Sequence, residues 1–382
     1  MKNIKNLLFY PLLILLLFLF DKIFLWEVVR DHFLQPGGMV FYRHRKELLE
    51  NLKNHVQNQP KNFKDQKKLF VVLGDSRSLG LGQEVANYIQ RKDLDIWNFT
   101  AFQAVPAYYF YLAKKILEFH HPDVFLVGVS PDAFNRNTHI FANPVLIFGV
   151  DEDFIKKYDN LIPRKDKEIY KKSKLFALAG IQFSMKTLLQ RIKGSIFGSN
   201  TQELLEKYQI EYNQLTEQEK KLLQVLLLFG EENLSYYVYE KSPHRILMNY
   251  TKGAQYAWFG KMSDKDLQEE TKKFENLYLK NFTISYEQLI FLELLLDAVK
   301  NKSKAVIYIP RVNPYLRNIY SNHPEISFVI SQISELSQKY HTPFLNFNDP
   351  ALLECDDFYD ASHLSVSCFP DVLRQLLKAL SN

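Results

Sequence analysis

Leu69-Phe70-Val71-Val72-Leu73-Gly74-Asp75-Ser76-Arg77-Ser78-Leu79-Gly80 decides how the rest of the chain is read. Five apolar residues run into Gly-Asp-Ser and then a polar turn. An uninterrupted apolar run of that length, closed by a glycine, predicts a buried strand ending in a tight turn. Ser76 then stands at the carboxyl end of the strand. In open α/β sheets that edge is where ligands bind, and a following helix N-terminus aims backbone N–H groups at negative charge.

Working outward, the same rhythm recurs. Helical spacing over Leu79 to Gln90 leads to a short strand, Asp95 to Phe99, and then to a helix from Pro106 to Phe119 with proline in its first turn. Asp123 to Ser130 reads as a third strand, apolar throughout as expected when helices cover both faces. The pattern resumes after a helix over Ser285 to Lys300: strand Lys304 to Pro310, helix Ile326 to Tyr340, strand Pro343 to Phe347, closing helix Pro370 to Leu380. The expectation is an α/β fold with a doubly wound, parallel, five-stranded sheet. Core halves at 69–150 and 285–382 flank a mostly helical insertion, 151–284. That insertion holds lysine-rich helical stretches such as Thr201 to Phe229 and aromatic-rich ones such as Tyr256-Ala-Trp-Phe.

The segment Leu7 to Trp26 is nearly all apolar and is preceded by Lys2 and Lys5. Twenty helical residues reach about 30 Å, the thickness of a hydrocarbon core. No small-x-small cleavage site follows, which favours an uncleaved transmembrane anchor over 1–26 against a signal peptide. Arg30, Arg43, Arg45 and Lys46 lie downstream, so charge does not settle the orientation. Residues 27–68 are polar, with a helical pattern from Tyr42 to Val56, and read as a connector. Composition is ordinary for a globular protein, 47% hydrophobic and 24% charged. The net charge of +5 is spread along the chain without a basic block interleaved with aromatics, so nucleic acid is not an expected partner.

Near the other end stands Asp360-Ala361-Ser362-His363. A serine hydroxyl is a weak nucleophile that needs an adjacent base, itself held by a third group. Histidine titrates near neutrality, and an aspartate three residues before it can hold the other ring nitrogen. Ser76, His363 and Asp360 supply those roles, with the Ser76 backbone N–H as an oxyanion donor. Each motif alone is commonly an ordinary turn; their force lies in both falling at loops of one sheet edge. Cys355 and Cys368 bracket the second motif, and two readings stay open: a disulfide stiffening the loop, or two separate small buried residues. The ten histidines show no metal-ligand spacing and the glycines no phosphate loop, so neither metal nor cofactor is expected.

With these motifs the chain resembles the SGNH (GDSL-type) hydrolase superfamily. Gly74-Asp75-Ser76 and Asp360-Ala361-Ser362-His363 match its first and last blocks, and the resemblance covers 69–130 and 304–380. It implies a flavodoxin-like sheet and serine ester chemistry. The inner blocks depart: Asn98-Phe-Thr-Ala-Phe-Gln-Ala104 lacks the family's glycine, leaving Ala101 or Ala104 as the oxyanion stand-in. Pro131 replaces an asparagine, and Asn135 or Asn137 is the substitute to hand. With the anchor and the insertion, the chain looks like the membrane-tethered branch, similar to alginate acetyltransferases and D-alanyl-teichoic-acid transfer proteins. That likeness implies acyl transfer or ester hydrolysis on envelope glycans outside the cytoplasmic membrane, beside a multi-spanning acyltransferase. Arg77 and Arg311 are the implied substrate-holding cations. The alternative is a catalytically weak protein of the same fold that binds a glycan or a membrane partner; Pro131 is its main support.

Overall fold

The structure, a computed structural model, describes residues 2–24, 26, 37–58, 67–138, 140–177 and 262–381. The expected helical and aromatic stretches of the insertion, Thr201 to Phe229 and Tyr256 to Phe259, lie outside the described residues.

Five strands, β1 (Lys68–Leu73), β2 (Leu94–Asn98), β3 (Val124–Gly128), β4 (Lys304–Ile309) and β5 (Phe344–Asn346), form one sheet. The order is β2-β1-β3-β4-β5 and every pairing is parallel. The register follows from the apolar runs, because successive side chains point to opposite faces. Leu69, Val71, Leu73, Phe125, Val127 and Ile307 enter one core, while Phe70, Val72, Val124, Leu126 and Val306 enter the other. A strand buried on both faces needs an unbroken apolar run, which is why these strands do not alternate in polarity.

Eleven α-helices lie among the described residues. The first ten are α1 (Lys2–Ile23), α2 (Gly37–Asn58), α3 (Gln83–Tyr88), α4 (Pro106–Leu117), α5 (Glu152–Lys157), α6 (Arg164–Leu175), α7 (Asp264–Phe274), α8 (Tyr286–Val299), α9 (Pro314–Asn322) and α10 (Pro324–Lys339). The chain closes with α11 (Phe369–Ser381). Helices α4, α8 and α10 cover the larger core, and α3 and α11 the smaller one. The direction of winding reverses between β1 and β3, so the crevice at their carboxyl ends is where loops diverge and a ligand site opens.

Two expectations for the N-terminal part change. Helix α2 is no spacer: Tyr42, Leu48 and Leu52 are fully buried in the larger core. The buried Arg45 donates from Nε to the Thr100 carbonyl at 2.6 Å. Period-3.6 apolar spacing, visible in the sequence, here marks a core helix rather than a connector. For the anchor, α1 ends at Ile23, and among the described residues no helix is long and apolar enough to cross a membrane. Residues 9–20 of α1 are nevertheless all exposed. At its end Asp21 is buried and accepts the Ala177 N–H at 3.1 Å, while Phe18 meets Phe176 edge-on.

Candidate active site

The turn after β1 is built around Asp75. Its carboxylate caps the short 3-10 turn Ser76–Ser78 by accepting the Arg77 N–H at 3.0 Å. From Val71 to Gln83, Ser76 is the only residue that is not buried. The turn therefore presents one side chain to the crevice and hides the rest. Two glycines make it fit: a Cβ on Gly74 would lie 2.9 Å from Ser78 Oγ, and one on Gly128 2.7 Å from Tyr308 Oη. Both distances are shorter than any real contact allows, so the Tyr308–Ser78 hydrogen bond of 2.7 Å depends on them. Asn98, at the end of β2, donates to the Ser78 and Leu81 carbonyls at 3.0 and 2.9 Å and locks the turn to the sheet.

The second half of the site is a loop pinned at its base. Phe358 and Leu364 bridge antiparallel and are buried in the smaller core. Cys355 and Cys368 form a disulfide with Cα atoms 5.5 Å apart. Of the two readings open from sequence, the structure holds the bridged one. Within this loop Asp360 Oδ1 accepts the backbone N–H groups of Ser362 and His363 at 2.8 and 2.9 Å. That Asx-type turn is what an aspartate two and three residues upstream provides.

Ser76 Oγ lies 2.7 Å from His363 Nε2, and His363 Nδ1 lies 2.7 Å from Asp360 Oδ2. Burial alone pushes the Asp360 carboxyl up, but the His363 ring and the two backbone N–H groups outweigh it and hold the carboxyl below its ordinary range. An ionised carboxylate only accepts, so Nδ1 carries the proton and donates to Asp360. Nε2 is then the acceptor for the Ser76 hydroxyl, the polarity that activates a serine. All three side chains line one cavity of about 270 Å3.

The other sequence-derived candidates fare differently. Arg77 lines the cavity, yet its guanidinium is clamped to Asp132 through two hydrogen bonds of 2.7 and 3.0 Å. Asp132 also accepts from Tyr320 Oη at 2.6 Å, and the Phe274 ring lies 5.3 Å from the guanidinium carbon. Burial works against the charge, but Asp132 outweighs it and keeps Arg77 firmly protonated. Arg311 is not in the cavity lining: buried, it donates to Asp356 at 2.7 Å and to the Phe347 carbonyl at 2.9 Å, so it fastens the disulfide loop to the end of β5. Each of the two expected cations is paired with a carboxylate that sequence separation concealed.

The oxyanion assignments also shift. Ala104 lines the cavity, but its N–H donates to the Ala101 carbonyl at 3.2 Å, and the Ala101 N–H donates to Gly74. Gln103 between them has the left-handed φ of 53°, the glycine-like position of this loop, and it too lines the cavity. Asn135 lies outside that cavity. It accepts the Asn137 and Thr283 N–H groups at 3.0 and 3.1 Å and donates to the Tyr278 carbonyl at 2.8 Å, clamping two loops together. Pro131 opens a 3-10 turn that delivers Asp132 to Arg77.

Reading the sequence missed Asn313, fully buried and central to the site's support. Its Oδ1 caps α9 and its Nδ2 reaches the Ala361 carbonyl at 2.7 Å and Thr271 Oγ1 at 2.9 Å. It thereby joins the histidine loop to α7. Asn followed by Pro314 is a helix-start signal that the sequence did carry.

Fold and site together define an α/β protein with a Ser-His-Asp constellation at the ligand edge of a parallel sheet. The chain matches, over residues 2–380, the model of a family described as a protein of unknown function (DUF1574). It belongs to that family. No curated protein matches it.

Proposed function

We propose that this protein is a serine acyl hydrolase or acyltransferase of the SGNH type, acting on O-acyl groups of envelope glycans or related esters. The observation that carries the reading is the unbroken hydrogen-bonded line from Ser76 through His363 to Asp360, open to a cavity. Ser76 Oγ attacks the ester carbonyl while His363 Nε2 takes its proton. The C–O bond to the leaving alcohol then breaks, and that alcohol receives the proton from His363. Water or a sugar hydroxyl, deprotonated by the same nitrogen, resolves the acyl-serine and restores the site. Asp360 holds the imidazolium throughout. Membrane tethering belongs to the same reading. An exposed apolar row over residues 9–20 is unfavourable in water and favours a lipid surface, and a disulfide suits an extracytoplasmic, oxidising side. A multi-spanning acyltransferase is the partner this reading implies.

A second reading, binding without turnover, draws on the oxyanion side, where the Ala104 N–H and the Asn135 amide are both engaged elsewhere. One experiment separates the two. The detergent-solubilised full chain is treated with a fluorophosphonate probe beside Ser76→Ala and His363→Ala. Labelling of the wild type that both variants lose supports an activated serine. A folded wild type that stays unlabelled favours the binding protein.

A further inference from the structure

The cavity beside Ser76 carries information about the acyl group. Its volume of about 270 Å3 exceeds that of an engineered apolar cavity of roughly 150 Å3 that takes up benzene. An acetyl group would leave most of it unfilled. Its lining includes Ala104, Ala133, Ile140, Phe274, Leu277 and Tyr278. Three of these, the large side chains other than Ile140, come from α7 and the π-helical segment Glu275–Leu279 that continues it. Phe274 and Tyr278 pack ring to ring at 4.7 Å, and Tyr278 Oη accepts from Gln103 Nε2 at 3.1 Å, which holds that wall over the crevice. Leu277, at 70% exposure, is an apolar side chain left facing the opening.

Among the described lining residues, the charges next to Ser76 are taken: Arg77 is clamped to Asp132, Asp360 holds His363, and Asp75 caps its own turn, while Lys273 and Glu270 pair at 2.6 Å on the exposed rim. Beside the serine, an anionic acyl group would have to displace one of these acids, and a cationic aminoacyl group the Arg77 guanidinium. Neither displacement is needed for a neutral chain. We propose that the acyl group carried by Ser76 is neutral and apolar, of about four to eight carbons, and that Phe274, Leu277 and Ile140 form its subsite.

This inference rests on the serine acyl-transfer reading, and the test separates the two. The full chain in detergent is assayed with p-nitrophenyl esters from acetyl to dodecanoyl, beside fluorophosphonate labelling. Ser76 Oγ takes the acyl group, p-nitrophenol leaves with the proton from His363, and water releases the carboxylic acid. Each methylene that leaves water is worth roughly fourfold, so kcat/KM is expected to rise at least tenfold from acetyl to hexanoyl. Leu277→Gln, a change at an exposed position that does not touch the core, is expected to lower the hexanoyl-to-acetyl ratio at least threefold. A labelled enzyme that prefers acetyl overturns the apolar subsite and leaves the serine chemistry standing. A hexanoyl preference that Leu277→Gln does not alter overturns its placement at α7. No labelling and no turnover of any ester by folded protein overturn the underlying reading as well.

Discussion

Replacing Asp132 by asparagine isolates the charge beside the nucleophile. Asp132→Asn keeps the shape of the side chain but takes the counter-ion from Arg77. Both side chains are almost wholly buried, at 5% and 8% exposure, and they meet through two hydrogen bonds with Tyr320 as a third member. Removing one partner of such a pair leaves a charge that neither water nor protein satisfies, at a cost of about 3–5 kcal/mol. An asparagine amide recovers part of one hydrogen bond but also sets an N–H group against the guanidinium. In urea unfolding of the full chain, an m-value near 3 kcal/mol/M turns that cost into a midpoint lowered by about 1–1.7 M. The double variant Arg77→Met/Asp132→Leu should regain most of the loss, because a pair removed together leaves no orphan charge. A loss below about 1 kcal/mol in Asp132→Asn with m unchanged would refute the reasoning. Arg77 would then have a solvated route for its charge, and a substrate-holding role would again be open to it.

Asp360→Asn should leave the fold intact and slow probe labelling by up to about 10,000-fold, since the amide favours the wrong histidine tautomer; labelling rates check this. Because the Asp360 carboxyl is held below its ordinary range, its contribution is present above the unfolded value and is lost as pH falls through the lower folded one. The stability that this carboxyl contributes should therefore persist in acid until below about pH 4, where an ordinary aspartate would have protonated, as read by urea titration of the wild type against Asp360→Asn. Burial raises Asp166 to about 6, so the folded chain holds its proton more tightly than the unfolded one. Stability should fall as pH rises from about 4 to about 6, and Asp166→Asn should recover up to roughly 3 kcal/mol at pH 7.5 but nothing at pH 4 by urea titration. Reducing the Cys355–Cys368 disulfide, or Cys355→Ser with Cys368→Ser, releases a loop of 13 residues' separation. It should cost about 3 kcal/mol and loosen His363, seen as slower labelling with dithiothreitol.

The strands, their order of appearance and the flanking helices were legible in the sequence because burial on both faces demands continuous apolar runs, and helix starts carry their own caps. Ser76, Asp360 and His363 were legible for a related reason: each sits in a local turn, Gly-Asp-Ser or Asp-x-x-His, whose backbone geometry depends on neighbours two or three residues away. What stayed hidden depends on contacts between distant residues. No local pattern says that Arg77 meets Asp132, that Arg311 meets Asp356, or that the Ala104 N–H is spent on Ala101. Nor does one say that Tyr42 and Arg45 brace the loop beside the site, donating to Phe102 and Thr100. A charged side chain reads the same in sequence whether it is free or paired, because pairing is settled by which elements pack together. Local pattern alone specifies a parallel sheet with a serine at its ligand edge and a histidine loop near its end. Only the tertiary structure brought them to 2.7 Å across 287 residues. It also spent the neighbouring charges on the scaffold and left an apolar wall from α7 facing the serine, since burial leaves no charge unpaired and puts whatever side chains remain around the opening.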